Sequence, residues 1–158
     1  KSAVGYYGYR RSAPYNTMKK ILIVEDEKPV ARSFELRLVN AGFDVRLAAN
    51  GEQALALLAQ EPFDLVFLDL IMPKMTGFQV LEELQKRNST VPVVVTSNLQ
   101  QESDMQLAQK LGAKDYFIKS ETAMAGIVAY AQYALQGGAA NPLREYSGKL
   151  PNSDLPPT

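Results

Sequence analysis

Four apolar runs in this 158-residue chain each end in residues that can do chemistry. ILIV at 21–24 leads into Glu25 and Asp26, and LVFL at 65–68 into Asp69, after which the chain breaks at Pro73 and Gly77. VVV at 93–95 leads into Thr96 and Ser97, and YFI at 116–118 into Lys119. Singly, each residue has an ordinary explanation: a strand-end Asp caps the next helix, a Ser makes a turn, a Lys sits in solvent. Together they are three acids, a hydroxyl and an ammonium. Three carboxylates in one crevice repel and raise one another's pKa values, and a divalent cation relieves this. The chain has neither His nor Cys, so the cation must be a hard one held by oxygen. Mg²⁺ fits, because it takes one or two carboxylates, a backbone oxygen and waters, and leaves room for phosphate oxygens. A Lys and a hydroxyl opposite can hold the remaining oxygens of a phosphoryl group. Asp69, between them, is then a third ligand or a nucleophile that accepts the group as an acyl phosphate. Phosphoryl transfer needs positioning and charge neutralisation more than proton transfer, so the lack of His is no obstacle.

The same absences exclude much else. Without Cys there is no disulfide, thiol nucleophile or thiolate metal site. Without His there is no Ser-His-Asp triad, no His-based zinc helix and no phosphohistidine on this chain. Lys and Arg number 17 and so do Asp and Glu, which leaves no bulk charge to attract nucleic acid or an anionic membrane. No apolar run approaches the roughly 20 residues of a membrane span, and no signal peptide is evident. A cytoplasmic location is expected.

The elements that must position these residues follow from hydrophobic period. ILIVE, FDVRLA, DLVFL, VPVVVT and DYFIK read as strands. Between and after them come helical patterns. The first opens at Lys28–Pro29, with Val30, Phe34, Leu38 and Ala41 at helical spacing, and stops at Gly42. The others are NGEQALALLAQ with Asn50 as N-cap, GFQVLEELQKR, QESDMQLAQKLG, and ETAMAGIVAYAQYALQ. Strict strand–helix alternation argues for an α/β fold, a doubly wound parallel sheet with helices on both faces. Strands that are apolar without alternation are buried on both faces, whereas FDVRLA keeps a polar face and reads as an edge. In a parallel sheet all strand C-termini share one rim, so the acids, hydroxyl and Lys converge there. Residues 1–17 read as a flexible leader, with Met18 as a start; an aromatic-basic arm (Tyr6, Tyr7, Tyr9, Arg10, Arg11) is the alternative. The single domain spans 18–137, and 138–158, with four prolines, reads as a disordered tail or linker.

From Lys19 to Gln136 the chain resembles the receiver domain of two-component response regulators. The motifs are the acidic pair after the first strand, LDLIMPKMTG, a hydroxyl after the fourth strand, and GAKDYFIK. The resemblance implies a flavodoxin-like five-stranded sheet in order 2-1-3-4-5 with five flanking helices. It makes Asp69 the phosphoacceptor and Glu25 and Asp26 the acid pocket. Asp26, Asp69 and the Ile71 backbone carbonyl become Mg²⁺ ligands, with Glu25 acting through water. Lys119 contacts the phosphoryl oxygens. Counting five residues on from Pro92 makes Ser97 the switch hydroxyl rather than Thr96, and Tyr116 the switch aromatic. The residues flanking an attacking water become Ile71 and Leu99, or Asn98 if Thr96 is the switch. Ser120 stands where the family usually has a Pro, so a trans or strained Lys119–Ser120 peptide is expected.

The implied function is a switch. A sensor histidine kinase or phosphotransfer protein supplies the phosphoryl group, Ser97 is drawn to it, and Tyr116 turns inward. That remodels the face of helix 4, strand 5 and helix 5 for a downstream protein, with no direct contact to nucleic acid or membrane; a homodimer stays open. No turnover of an external substrate is expected. Two other readings compete. A Mg²⁺-dependent phosphohydrolase of the haloacid-dehalogenase type also uses a strand-end Asp but needs an acid two residues later, where this chain has Ile71. A degenerate receiver acting only as a binding module would not need the full set of five polar residues.

Overall fold

The computed structural model describes residues 18–137; the expected leader and tail lie outside the described residues. The strands are β1 (Lys20–Val24), β2 (Asp44–Ala48), β3 (Leu65–Leu68), β4 (Val93–Ser97) and β5 (Asp115–Ile118). They alternate with α1 (Lys28–Asn40), α2 (Gly51–Gln60), α3 (Gly77–Lys86), α4 (Glu102–Lys110) and α5 (Met124–Gln132). All pairings are parallel, and the order is β2-β1-β3-β4-β5. Alternation along each strand splits the core in two. Leu22, Val24, Val66, Leu68, Val93 and Val95 face α2, α3 and α4 through Ala54, Leu55, Val80, Leu81, Leu84 and Ala108. Ile21, Ile23, Leu65, Phe67, Val94 and Phe117 face α1 and α5 through Phe34, Leu38, Ile127 and Tyr130. β2 is an edge, and its exposed Arg46 pairs with Asp44 and Glu61.

Helix ends follow local chemistry. Asn50 accepts the Gln53 N–H at the start of α2, and Thr76 and Gln79 form a reciprocal capping box at the start of α3. The last helix departs from its sequence pattern. It starts at Met124 rather than Glu121, because the Glu121 and Thr122 N–H groups both turn back to the Ile118 carbonyl. It ends in one π-helical turn over Tyr133–Gly137. Among the described residues no helix is long and apolar enough to cross a membrane.

Tyr130 anchors α5 to β5. Its ring, 2% exposed, meets Phe117 edge-on at 5.3 Å, and its hydroxyl donates to Asp115 Oδ2. Burial, with the neighbouring Asp115, pushes the Tyr130 phenol far above its ordinary 10.0. The native state therefore keeps a proton that the unfolded chain gives up above that value, and stability falls as pH rises. The slope from one such group is about 1.4 kcal/mol per pH unit. Denaturant unfolding followed between about pH 9 and 11 should show this loss, and Tyr130→Phe should make it shallower by one proton. An equally steep loss in the variant would mean another group governs it.

Candidate functional site

The strand order reverses between β1 and β3, and in open α/β sheets the crevice beyond such a pair is where ligands bind. Three ladder extensions fix the polar residues there. The Glu25 N–H reaches the Ala48 carbonyl at 3.0 Å, the Asp69 N–H reaches the Val24 carbonyl at 3.0 Å, and the Lys119 N–H reaches the Ser97 carbonyl at 3.0 Å. Each residue thus leaves its strand with the backbone still held by a neighbour.

The side chains converge. Lys119 Nζ donates to Glu25 Oε2 and, at 3.1 Å, to Asp69 Oδ2. Glu25 Oε1 accepts the Glu27 N–H at 3.2 Å, and Asp69 Oδ1 accepts the Ile71 N–H at 3.2 Å. One carboxylate oxygen each from Glu25, Asp26 and Asp69 lies within 4.8 Å of the others. Glu25 and Asp69 are buried and Asp26 is half-buried. Burial raises the carboxyls of Glu25 and Asp69 above their ordinary values, and Lys119 only partly offsets this. Burial alone would lower the Lys119 amine, but its bond to Glu25 and the charge of both carboxylates carry it upward. The donor set is therefore three oxygen ligands, two of them poorly solvated, with one ammonium to balance them. Such a set suits a small divalent cation, and Mg²⁺ fits it by charge and ligand type.

The two candidate hydroxyls lie on opposite faces. Thr96 shares its face with Val94 and Phe117, while Ser97 shares the face of Val95 and Tyr116. Ser97 is fully buried, and its Oγ accepts the Leu99 N–H at 3.3 Å. Tyr116 is turned in towards the core. It is 6% exposed, and its hydroxyl donates to the Leu99 carbonyl at 2.8 Å, which satisfies a polar group that burial would otherwise leave costly. Ile71 is 57% exposed, whereas Leu99 is half-buried against the core on the α4 side.

Sequence reasoning missed the contacts around Ser120. No peptide bond among the described residues is cis, so Lys119–Ser120 is trans, and Lys119 still reaches both carboxylates. The Ser120 N–H, which a Pro would lack, donates to Asn98 Oδ1 at 2.9 Å, and Ser120 Oγ accepts from Gln100 Nε2 at 3.3 Å. No local pattern marks a contact across 22 positions. Gly77 had a signal, a glycine opening a capped helix, but only packing shows its use. A Cβ there would lie 2.3 Å from the Asp69 carbonyl oxygen.

Parallel strands in this order, with acids after β1 and β3 and a Lys after β5, are the arrangement of a receiver domain. A family model described as "Response regulator receiver domain" matches residues 21–131, and the chain belongs to that family. It is 44% identical over 101 residues to a "Probable transcriptional regulator ycf27" of Porphyridium aerugineum, covering 64% of this chain and 42% of that protein. The chain thus spans about two fifths of the length of the curated relatives it matches. It is similar in structure to the Francisella response regulator 1452 receiver domain, with TM-score 0.71 and 25% identity over 75% of this chain and 97% of that one. It also resembles the response regulator TrrA of Thermotoga maritima in complex with Mg²⁺-BeF, with TM-score 0.66 and 26% identity over 75% of this chain and all of that one. Receiver domains of two-component systems work with histidine kinases and downstream targets, and generally bind Mg²⁺ at an acidic pocket. The two competing readings gain nothing. The position two past Asp69 holds an exposed, apolar Ile71 with no acid to protonate a leaving group, and the three acids and Lys119 assemble rather than scatter.

Proposed function

We propose that Asp69 accepts a phosphoryl group from a phosphohistidine on a partner kinase or phosphotransfer protein. The carrying observation is the bridge from Lys119 Nζ to Glu25 and Asp69, with Asp26 beside them. An Asp69 carboxylate oxygen attacks phosphorus, the P–O bond of an acyl phosphate forms, and the P–N bond breaks. Its electron pair stays on the imidazole nitrogen, which takes up a proton. Glu25, Asp26, Asp69 and the Ile71 carbonyl would hold Mg²⁺, which when bound supplies positive charge to the phosphoryl oxygens. Lys119 exchanges its contact with Asp69 for a phosphoryl oxygen, and Ser97 donates to another. Tyr116, turned in behind Ser97, fixes the arrangement of the α4–β5–α5 face that a downstream protein reads. The domain turns over no external substrate and resides in the cytoplasm.

Control of transcription, which the names of the longer relatives describe, would be a consequence of that face and not of nucleic-acid contact by these residues. Incubation with Mg²⁺ and acetyl phosphate, followed by intact mass, tests the reading. A single phosphoryl adduct is expected. No adduct under those conditions would sink it.

The lifetime of the adduct offers a further expectation. Neither Ile71 nor Leu99 can orient a water for attack on phosphorus. Ile71→Asn/Leu99→Glu should therefore shed its phosphoryl group faster than the wild type, by about tenfold or more. Decay after removal of the donor measures this. Equal decay would show that these side chains do not govern water. If Thr96 were the switch hydroxyl, changing Leu99 would do nothing and Asn98 would be the position to change.

A further inference from the structure

A flexible four-carbon side chain aims only as well as the backbone beneath it. On its N-terminal side Lys119 is held by the β5 ladder, through its N–H to the Ser97 carbonyl. On its C-terminal side no helix begins until Met124. The Glu121 and Thr122 N–H groups return to Ile118, a turn closed upon itself that ties nothing to the rest of the sheet rim. Among the described residues, the bonds that tie Ser120 to the neighbouring loop are its N–H to Asn98 Oδ1 and its Oγ from Gln100 Nε2. Between those two partners sits Leu99, whose carbonyl takes the Tyr116 hydroxyl. The loop after β4 is thus anchored to the core on one side and grips the residue after Lys119 on the other.

We infer that Asn98 is a positioning residue for Lys119, acting through the Ser120 main chain, and that this clasp sets the rate at which Asp69 is phosphorylated. The inference rests on the function proposed above. Asn98 suits the task because its side-chain oxygen, on a short stem, accepts the Ser120 backbone N–H at 2.9 Å. Asn98 and Ser120 are both exposed, so their bond adds little to folding. What it restricts is the range of positions from which Nζ can meet a phosphoryl oxygen, and misplacement of a charge-stabilising group slows the chemical step more than it weakens donor binding.

The test uses the full chain in three forms: wild type, Asn98→Leu, and Asn98→Asp, which keeps an oxygen acceptor. Exchange of the Ser120 amide, followed by NMR, reads the clasp without reference to phosphorylation. It should be slow in the wild type, fast in Asn98→Leu and slow again in Asn98→Asp. Uptake from acetyl phosphate in the presence of Mg²⁺ should fall about tenfold in maximal rate in Asn98→Leu. Its half-saturation and melting temperature should hardly move, and Asn98→Asp should recover the rate. An unchanged rate in Asn98→Leu overturns the inference. So does a rate that falls together with melting temperature and is not recovered by Asn98→Asp, since that describes a structural residue only. Failure of the wild type itself to take up phosphate removes the proposed function and this inference with it, a result distinguishable from either.

Discussion

Asp69→Asn takes up no phosphoryl group from acetyl phosphate, yet it folds at least as well as the wild type when no divalent cation is present. Both halves follow from the position of the side chain. The amide keeps the shape and cannot form an acyl phosphate, so the adduct disappears from the intact mass rather than diminishing. The stability half follows from burial, which raises the Asp69 carboxyl above its ordinary 3.8 despite Lys119. For an acid with a raised folded pKa, the favourable contribution is present below the unfolded value and is lost as pH climbs through the folded one. At neutral pH the buried carboxylate is therefore a cost that a neutral amide relieves. The same logic makes Mg²⁺ raise the melting temperature of the wild type more than that of Asp69→Asn. Uptake by the variant at the wild-type rate would exclude Asp69 as acceptor. Loss of its folded state would show that the carboxylate is needed for structure.

Gly77→Ala damages the site from behind. The first turn of α3 lies against the backbone that carries Asp69, with the Gly77 N–H donating to the Leu70 carbonyl at 3.0 Å. An added Cβ would stand 2.3 Å from the Asp69 carbonyl and 2.8 Å from Leu70 Cα. These are main-chain atoms that cannot rotate away, so either α3 retreats from the core or Asp69 shifts from its place beside Lys119. Overpacking of this kind costs about 1–3 kcal/mol, and phosphoryl uptake should fall about a hundredfold with misplacement of the acceptor. Denaturant unfolding and the uptake rate check the two effects separately. At Gly51 the nearest contacts are side-chain atoms of Met75 and Val80, at 2.8 Å. Because Met75 is flexible, Gly51→Ala should affect uptake less than Gly77→Ala. Wild-type behaviour of Gly77→Ala would show that the close approach is not needed.

The amino-acid sequence by itself determined the alternation of elements, the burial of β1, β3 and β4 on both faces, and the kind of residue that ends each strand. These are local properties. A buried strand announces itself in four or five consecutive side chains, and a capped helix in one residue and the turn after it. The absence of His and Cys confined the chemistry to oxygen and ammonium groups in the same direct way. The strand order was legible only through resemblance to a family, because nothing within a strand says which strand lies beside it. The start of α5 was misjudged for a related reason. Glu121 and Thr122 suit a helical pattern, but their N–H groups are taken by the Ile118 carbonyl at the end of β5.

The tertiary structure alone decided which polar residues touch. Neighbouring strands stand about 4.8 Å apart, so β5 is two spacings, roughly 10 Å, from β3, and only a side chain as long as Lys can cross to Asp69. Lys119 and Glu25 are 94 positions apart and meet because β1 lies directly beside the central strand β3, so that Glu25 opens into the same crevice as Asp69. Ser97 rather than Thr96 faces Tyr116 because strand alternation was fixed by which neighbours occupy each side of β4. The clasp of Asn98 on Ser120 and the pressure of Gly77 on Asp69 depend on loops brought together by the sheet, where a hydrogen bond or a missing Cβ has no period to betray it. Burial has the same origin: the carboxyls of Glu25 and Asp69 are raised by the low-dielectric surroundings that folding builds around them, which no count of charges along the chain contains.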